Sequence, residues 1–218
     1  MRVLIAAAVV VAACCLVGAR EAVPSADAVI AELKAGNAHF LAKKFVHPHQ
    51  TSARQKELAS GQHPHCAILT CADSRVPPEI LFDQGLGDMF DVRVAGNIAG
   101  DAETASLEYA AEHLHVPLVV VMGHTHCGAV SAAVEGGELP GKLPSLVAAL
   151  RPAVDQAAHE PGDRVENAVR DNVIHVVNQL RAARPVLSDL TAAGKLRIVG
   201  AVYALDTGKV EWIEGARK

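Results

Sequence analysis

Short, continuous apolar runs mark the strands of this chain. Runs of strand length occupy residues 66–71, 89–95, 117–122 and 197–205. An apolar run of this length without alternation is typical of a strand that is buried on both faces. After the last run, Asp206-Thr-Gly208 predicts a turn into a short antiparallel edge strand at 210–213. The pattern therefore predicts a central sheet of four to five strands.

Segments with helical periodicity separate these runs. The longest covers 164–182, where one stripe carries Val165, Val169, Val173, Val176, Val177 and Leu180. Further helices are predicted at 101–114, 127–134 and 146–157. Alternating strands and helices are typical of an α/β fold, with a mostly parallel central sheet and helices on both faces.

A weaker helical signal precedes the first strand. Apolar residues at 28, 30, 33, 40 and 41 predict an N-terminal helical arm that is interrupted at Gly36-Asn37. Ser52-Ala-Arg-Gln55 fits a capping box, which predicts a short helix from Ser52 through Ala59.

Composition favours one domain and argues against nucleic acid. The chain has 218 residues, enough for a sizeable core, and no repeat or interdomain linker. Half of the residues are apolar but only 3% are aromatic, so aliphatic side chains must fill the core. The net charge is −4 and no cluster of Lys and Arg occurs, which argues against a nucleic-acid partner.

The first residues resemble an export signal. Met1-Arg2 supplies a short basic start, residues 3–17 are almost entirely apolar, and Val17-Gly18-Ala19 offers a cleavage site before Arg20. We therefore expect a signal peptide at 1–19, one domain at 20–218, and an exported protein that is periplasmic or secreted. An uncleaved anchor is the alternative, and cleavage before Cys14, with attachment of a lipid anchor there, is a variant of the signal. No other stretch is apolar for long enough to span a membrane, so the mature chain is expected to have no span.

Cysteine usage points to metal binding. Removal of the leader takes Cys14 and Cys15 with it and leaves Cys66, Cys71 and Cys127. An odd number of cysteines is unsuited to a disulfide framework. Cys66 lies in an apolar strand, where it is expected to be a buried small side chain.

Two motifs at predicted strand ends carry the candidate chemistry. Cys71 ends the first strand, and His124 and Cys127 follow the third. The carboxyl ends of strands in an α/β sheet are where sites form, and two thiolates with one imidazole are ligands that zinc takes readily. Three protein ligands leave a fourth position open, which is typical of a catalytic zinc, one per chain. A structural zinc, or two core cysteines beside an unrelated histidine, is the alternative.

Asp73 and Arg75 lie beside the first ligand. Side chains two apart on an extended segment point the same way, so Cys71, Asp73 and Arg75 can share one side. Arg75 can then hold Asp73 ionised and fixed in direction, as needed to orient a bound hydroxide. A purely structural ion pair is the alternative interpretation.

These motifs resemble those of the β-class carbonic anhydrases, over essentially the whole predicted mature chain. The two motifs are Cys71-Ala-Asp-Ser-Arg-Val76 and Gly123-His-Thr-His-Cys-Gly128. The resemblance implies that Cys71, His124 and Cys127 bind zinc and that Asp73 and Arg75 are the catalytic dyad. The implied reaction is the reversible hydration of carbon dioxide to bicarbonate and a proton by zinc-bound hydroxide. It also implies a homodimer or higher homo-oligomer, with the arm wrapping the neighbour and the pocket built across the interface.

Further positions follow from the same resemblance. The substrate pocket is expected to include Gln62, Phe90, Ala95, Tyr109 and Gly128. Gln62 favours the plant-like subgroup, although taken alone it could be a loop amide, and Phe90 and Tyr109 could be core aromatics. Ala95 stands where the family often has a larger aliphatic residue, and Ala129 stands where a second glycine is usual.

Two other functions stay open at this point. The altered pocket at Ala95 is compatible with hydrolysis of carbonyl sulfide or carbon disulfide on the same fold. A non-catalytic zinc-binding protein is the alternative from a different class. The presence of Asp73, Arg75 and Gln62, which zinc binding alone does not need, argues against it.

Overall fold

The computed structural model describes residues 24–213. The predicted leader at 1–19 lies outside the described residues. Within 24–213, no helix combines the length and the apolar character that crossing a bilayer requires.

A five-stranded sheet forms the centre of the domain. Its strands are β1 Cys66–Thr70, β2 Met89–Arg93, β3 Leu118–His124, β4 Arg197–Tyr203 and β5 Val210–Ile213. The spatial order is β2-β1-β3-β4-β5. The first four strands run parallel, and β5 pairs antiparallel with β4 at the edge. The predicted sheet, including its antiparallel edge strand, is confirmed.

Eight α-helices surround the sheet in the described residues. They are α1 Ala26–Ala42, α2 Ser52–Leu58, α3 Pro78–Leu81, α4 Asp101–Glu112, α5 Gly128–Glu135, α6 Leu143–Ala157, α7 Arg164–Ala182 and α8 Val186–Ala192. The apolar pattern did not predict α3 and α8. Each has no more than seven residues, which is too short to show helical periodicity.

Helices cover both faces of the sheet. On one face, α4, α7 and α8 pack against alternate strand residues such as Leu69 and Val121. On the other, α1 and α3 pack against the residues between them, such as Ile68 and Val120. Because successive strand side chains point to opposite faces, continuous apolar runs supply both layers. A third cluster under α5, α6 and α7 encloses Cys71 and Cys127 at one end of the sheet.

The predicted interruption of the arm is wrong, because α1 continues through Gly36 and Asn37. A side chain at position 36 would overlap the backbone carbonyl of Phe82, so glycine permits close packing here. Asn37 donates from Nδ2 to the carbonyls of Leu81 (3.2 Å) and Gly208 (3.0 Å) and accepts from the backbone N–H of Val210 at 3.1 Å. Both residues therefore let α1 pack against the domain of its own chain.

The second helix begins at Ser52 as predicted, but its predicted cap is wrong. Thr51, not Ser52, is the N-cap, since its Oγ1 accepts the backbone N–H of Arg54 at 3.2 Å. Ser52 is therefore the first helical residue rather than the cap. The prediction for Cys66 is confirmed: it is buried in β1, and this burial raises the pKa of its thiol.

Candidate metal centre

Two neighbouring strands and one helix bring the three predicted ligands together. Cys71 directly follows β1, His124 is the last residue of β3, and Cys127 is the N-cap of α5. Because β1 and β3 are adjacent and parallel, their carboxyl ends meet at one edge. The ligand atoms of Cys71, His124 and Cys127 all lie within 4.8 Å of one another. The two sulfurs are 4.0 Å apart.

The imidazole of His124 is oriented for metal binding. Its Nδ1 is 2.9 Å from the carbonyl oxygen of Thr125 and can only donate to it, which leaves the lone pair on Nε2. His124 is fully buried, and its Nε2 has no hydrogen-bond partner within residues 24–213. A buried polar atom without a partner is costly. A metal bound by both sulfurs and Nε2 removes that cost, so the donor set fits zinc.

A hydrogen bond between the two sulfurs shifts their pKa values in opposite directions. The pKa of Cys71 is lowered to about 4, chiefly because the thiol of Cys127 donates to its sulfur. The same hydrogen bond raises the pKa of Cys127. The Gly96 N–H also donates to the sulfur of Cys71, at 3.3 Å. These contacts favour the thiolate form of Cys71, and the positive end of α5 lies at the sulfur of Cys127.

Asp73 and Arg75 form the predicted ion pair. The carboxylate accepts three hydrogen bonds from Arg75: from the backbone N–H (2.9 Å), from Nε (2.9 Å) and from Nη2 (2.7 Å). The Arg75 guanidinium therefore holds the pKa of Asp73 well below its usual range. Oδ2 of Asp73 is 3.9 Å from Nε2 of His124, so the carboxylate faces the metal-binding space.

Arg93 is a residue of the site that the sequence analysis missed. It donates from Nη2 to the carbonyl of Asp73 at 2.7 Å and from Nε to the carbonyl of Cys71 at 3.3 Å. These bonds fix the backbone that carries the ligand and the carboxylate. Its position near the carboxyl end of a predicted strand was the only signal in the sequence.

The predicted pocket residues divide into two groups. Ala95 precedes Gly96, whose N–H contacts Cys71, and Gly128 follows Cys127. Gly128 is exposed, and a side chain there would meet nothing within 4 Å. Both positions therefore border the metal centre.

Gln62, Phe90 and Tyr109 do not join the centre of their own chain. Phe90 pairs with Ala67 in the sheet register, four residues before Cys71, or about 13 Å along a strand. The ring of Tyr109 lies beside Phe90, with centroids 6.1 Å apart. Gln62 is exposed and precedes β1, at the amino end of the sheet.

The departure at Ala129 is accommodated by the helix. Ala129 lies in the first turn of α5 and packs in the cluster that encloses Cys71 and Cys127. A Cβ added at Gly96 would lie 3.3 Å from the Cβ of Ala129, so the glycine at position 96 leaves room for the methyl group of Ala129.

The fold and this donor set define an α/β metalloenzyme with a mononuclear zinc centre. The sequence model of the family "Carbonic anhydrase" matches residues 66–210. Carbonic anhydrase 2 of Mycobacterium tuberculosis is 44% identical over 181 residues, covering 81% of this chain and 87% of that protein. The carbonic anhydrase of Mycolicibacterium smegmatis is 42% identical over 183 residues, covering 82% and 89%.

Solved structures agree with the sequence relatives. A chain from the structures of two tetrameric β-carbonic anhydrases of Sordaria macrospora superposes with a TM-score of 0.70 and 25% identity. The match covers 88% of this chain and all of that chain. The protein described here belongs to the β-class carbonic anhydrases. It catalyses the zinc-dependent reversible hydration of carbon dioxide, and is therefore a lyase. The plant-like subgroup stays a prediction.

Proposed function

We propose that Asp73 and Arg75 are the catalytic dyad of this carbonic anhydrase. The supporting observation is the 3.9 Å separation between Oδ2 of Asp73 and the unpaired Nε2 of His124. Zinc bound at this centre supplies a Lewis acid that lowers the pKa of a water molecule and makes hydroxide available near neutral pH. Ionised Asp73 accepts a hydrogen bond from that water and orients it toward carbon dioxide.

Arg75 contributes by fixing the carboxylate. Its guanidinium donates to both carboxylate oxygens of Asp73, and this bidentate geometry fixes the orientation of the carboxylate plane. The side chain of Asp73 is about one-fifth exposed, so substrate and product can reach it. The guanidinium also keeps Asp73 in the form that accepts rather than donates a hydrogen bond.

Stopped-flow hydration of carbon dioxide tests the dyad. Asp73→Asn keeps the size of the side chain and is expected to lower kcat by roughly 10²-fold, with zinc retained. Arg151 and Asp155 form an exposed ion pair at 2.9 Å on α6 and supply the matched control. Asp155→Asn is expected to leave kcat unchanged. A dyad role is refuted by an Asp73→Asn enzyme that holds zinc and hydrates carbon dioxide at the unaltered rate.

We further propose that the pocket is completed by a second copy of this chain. Gln62, Phe90 and Tyr109 lie toward the amino end of the sheet, away from the metal centre of their own chain. Pairing of two copies about a two-fold axis perpendicular to the strands places the amino end of one sheet beside the carboxyl end of the other. The partner's Gln62, the partner's Phe90 and the partner's Tyr109 can then approach the carboxyl end where Cys71 lies.

The free edge of β2 is the favoured contact surface. Among the described residues, β2 pairs only with β1, so its outer edge is open. Three exposed apolar side chains flank it. Ile80 is 54% exposed and follows Glu79, which interacts with Asp91 of β2. Leu86 precedes the strand in sequence. Tyr109 contacts Phe90 of β2. An open strand edge with apolar side chains on both sides favours pairing with another chain. The tetrameric relatives support a homo-oligomer.

Co-expression of two impaired variants tests the shared pocket. Gln62→Ala and Asp73→Asn are each expected to be impaired as homo-oligomers. If each site draws residues from two chains, a mixed dimer regains one intact site, which restores up to about a quarter of the sites. The shared pocket is excluded if co-expression yields no activity above the average of the two variants.

Export remains a proposal that rests on the sequence alone. The basic start, the apolar stretch at 3–17 and the small residues before Arg20 support a cleaved leader and a periplasmic or secreted enzyme. The intact mass of the protein purified from its native host tests this. A chain beginning at Arg20 is expected, whereas a lipidated chain beginning at Cys14 supports the anchored alternative. A full-length mass contradicts cleavage.

A further inference from the structure

Asn172 is a polar residue inside an apolar surface of α7. It is 1% exposed and lies between Val169 and Val173, on the stripe that packs against the sheet. Burial of an amide costs free energy unless the amide is hydrogen-bonded. A role other than packing is therefore indicated for this side chain.

The amide of Asn172 holds the backbone carbonyl of Gly96. Its Nδ2 donates to the Gly96 carbonyl oxygen at 2.8 Å, across 76 positions of sequence. Only the amide nitrogen can donate to a carbonyl, so this contact fixes the orientation of the side chain. The amide oxygen of Asn172 has no hydrogen-bond partner within residues 24–213.

Gly96 is itself tightly confined. Its φ of 71° lies in the left-handed region, which favours glycine. An added Cβ would lie 3.2 Å from a side-chain carbon of Leu150 and 3.3 Å from that of Ala129. The residue at this turn therefore has little freedom to move.

The other side of Gly96 contacts a predicted zinc ligand. Its backbone N–H donates to the sulfur of Cys71 at 3.3 Å, while its carbonyl accepts from Asn172. A hydrogen bond to a thiolate sulfur withdraws electron density from it, and such contacts orient and tune the metal that the sulfur binds. One residue thus links the buried amide to the metal centre.

We propose that Asn172 is a positioning residue that aims the Gly96 N–H at the sulfur of Cys71 and thereby limits electron donation from this sulfur to zinc. This inference rests on the proposed role of Cys71 as a ligand. Two thiolates neutralise much of the charge of a divalent ion, which weakens it as a Lewis acid. A hydrogen bond on one sulfur offsets part of that weakening, so Asn172 acts on the reaction without contacting substrate.

Absorption spectra of the cobalt(II)-substituted protein test this inference without reference to activity. Sulfur-to-cobalt charge-transfer bands report how strongly the thiolates donate. Asn172→Leu keeps a similar volume but has no donor, and the charge-transfer band is expected to shift to longer wavelength. Asn172→Ala is expected to give the same shift and serves as the second variant if the leucine disturbs folding.

Val176→Ala is the matched control, because Val176 is a buried residue of the same stripe. It is expected to reduce thermal stability and to leave the cobalt spectrum unchanged. The inference is overturned if Asn172→Ala or Asn172→Leu binds cobalt with the band of the unaltered protein, or if Val176→Ala shifts the band equally. If the unaltered protein shows no sulfur-to-cobalt band, the proposed ligand set itself fails.

Discussion

Nε2 of His124 and Oδ2 of Asp73 lie 3.9 Å apart at the end of the sheet. The imidazole nitrogen has no hydrogen-bond partner within residues 24–213, whereas the carboxylate is engaged by Arg75 on both oxygens. The metal-binding nitrogen of His124 thus faces the carboxylate of Asp73, and the guanidinium of Arg75 holds that carboxylate away from the metal position. This arrangement keeps Asp73 available for the water and carbon dioxide of the reaction.

Replacement of Cys127 by serine is expected to abolish both zinc content and activity. Serine has no thiolate, and one of the three donors is lost. Elemental analysis and stopped-flow hydration measure the two effects. Cys66→Ala is the matched control, because Cys66 is buried in β1 away from the centre, and it should keep one zinc per chain. A Cys127→Ser protein that still binds zinc stoichiometrically and works at full rate would falsify this ligand set.

Replacement of Gly36 by alanine is expected to destabilise the fold strongly. The added methyl overlaps the carbonyl of Phe82, so α1 must move away from α3. We expect a loss of about 3 kcal/mol or more in the free energy of unfolding, measured by urea denaturation. Gly61→Ala is the control, because a Cβ there meets nothing within 4 Å. Equal stability of both variants would show that α1 does not pack as described.

Loss of the Thr51 cap is expected to cost about 1 kcal/mol. Its Oγ1 accepts the Arg54 N–H in the first turn of α2. Thr51→Ala should therefore lower the urea midpoint, whereas Ser52→Ala, in the exposed first turn, should hardly change it. The reverse order of effects would restore Ser52 as the cap.

Asp91 is expected to make the fold less stable as pH rises. Burial, and then the nearby Glu79 carboxyl, raise the pKa of Asp91 to about 7 from the ordinary value of 3.8. Between these two values the folded protein binds more protons than the unfolded chain, so stability falls as pH increases through this range. The penalty is complete above about pH 7 and is on the order of a few kcal/mol.

Asp91→Asn should remove this pH dependence, because its amide does not ionise. Urea midpoints at about pH 5 and about pH 8 measure the difference. Exposed Asp101→Asn is the control and should retain the slope of the unaltered protein. A midpoint difference that is unchanged in Asp91→Asn would contradict a raised pKa for Asp91.

The chemistry of the centre was predictable because its residues follow strand ends. Cys71 ends one apolar run and His124 closely follows another, and adjacency of the two parallel strands then brings them together. The same periodicity predicted β1 to β5 and the long helices. The periodicity could not predict that α1 continues through Gly36. A glycine is needed there because the backbone of Phe82, a residue distant in sequence, lies close to this position.

Other features depend on contacts that no local pattern contains. Asn172 and Gly96 are 76 positions apart, and only packing of α7 beside the turn joins them. A polar residue within an apolar stripe was the available signal for Asn172. The position of Phe90 relative to Cys71 likewise follows from strand register, which the apolar runs leave open.

X-ray absorption at the zinc edge of the purified enzyme identifies the atoms that bind the metal. We expect one zinc per chain at alkaline pH, bound by two sulfurs, one imidazole nitrogen and one further light atom from solvent. A protein without stoichiometric zinc, or with a zinc whose four ligands all come from the polypeptide, would contradict a catalytic zinc at Cys71, His124 and Cys127.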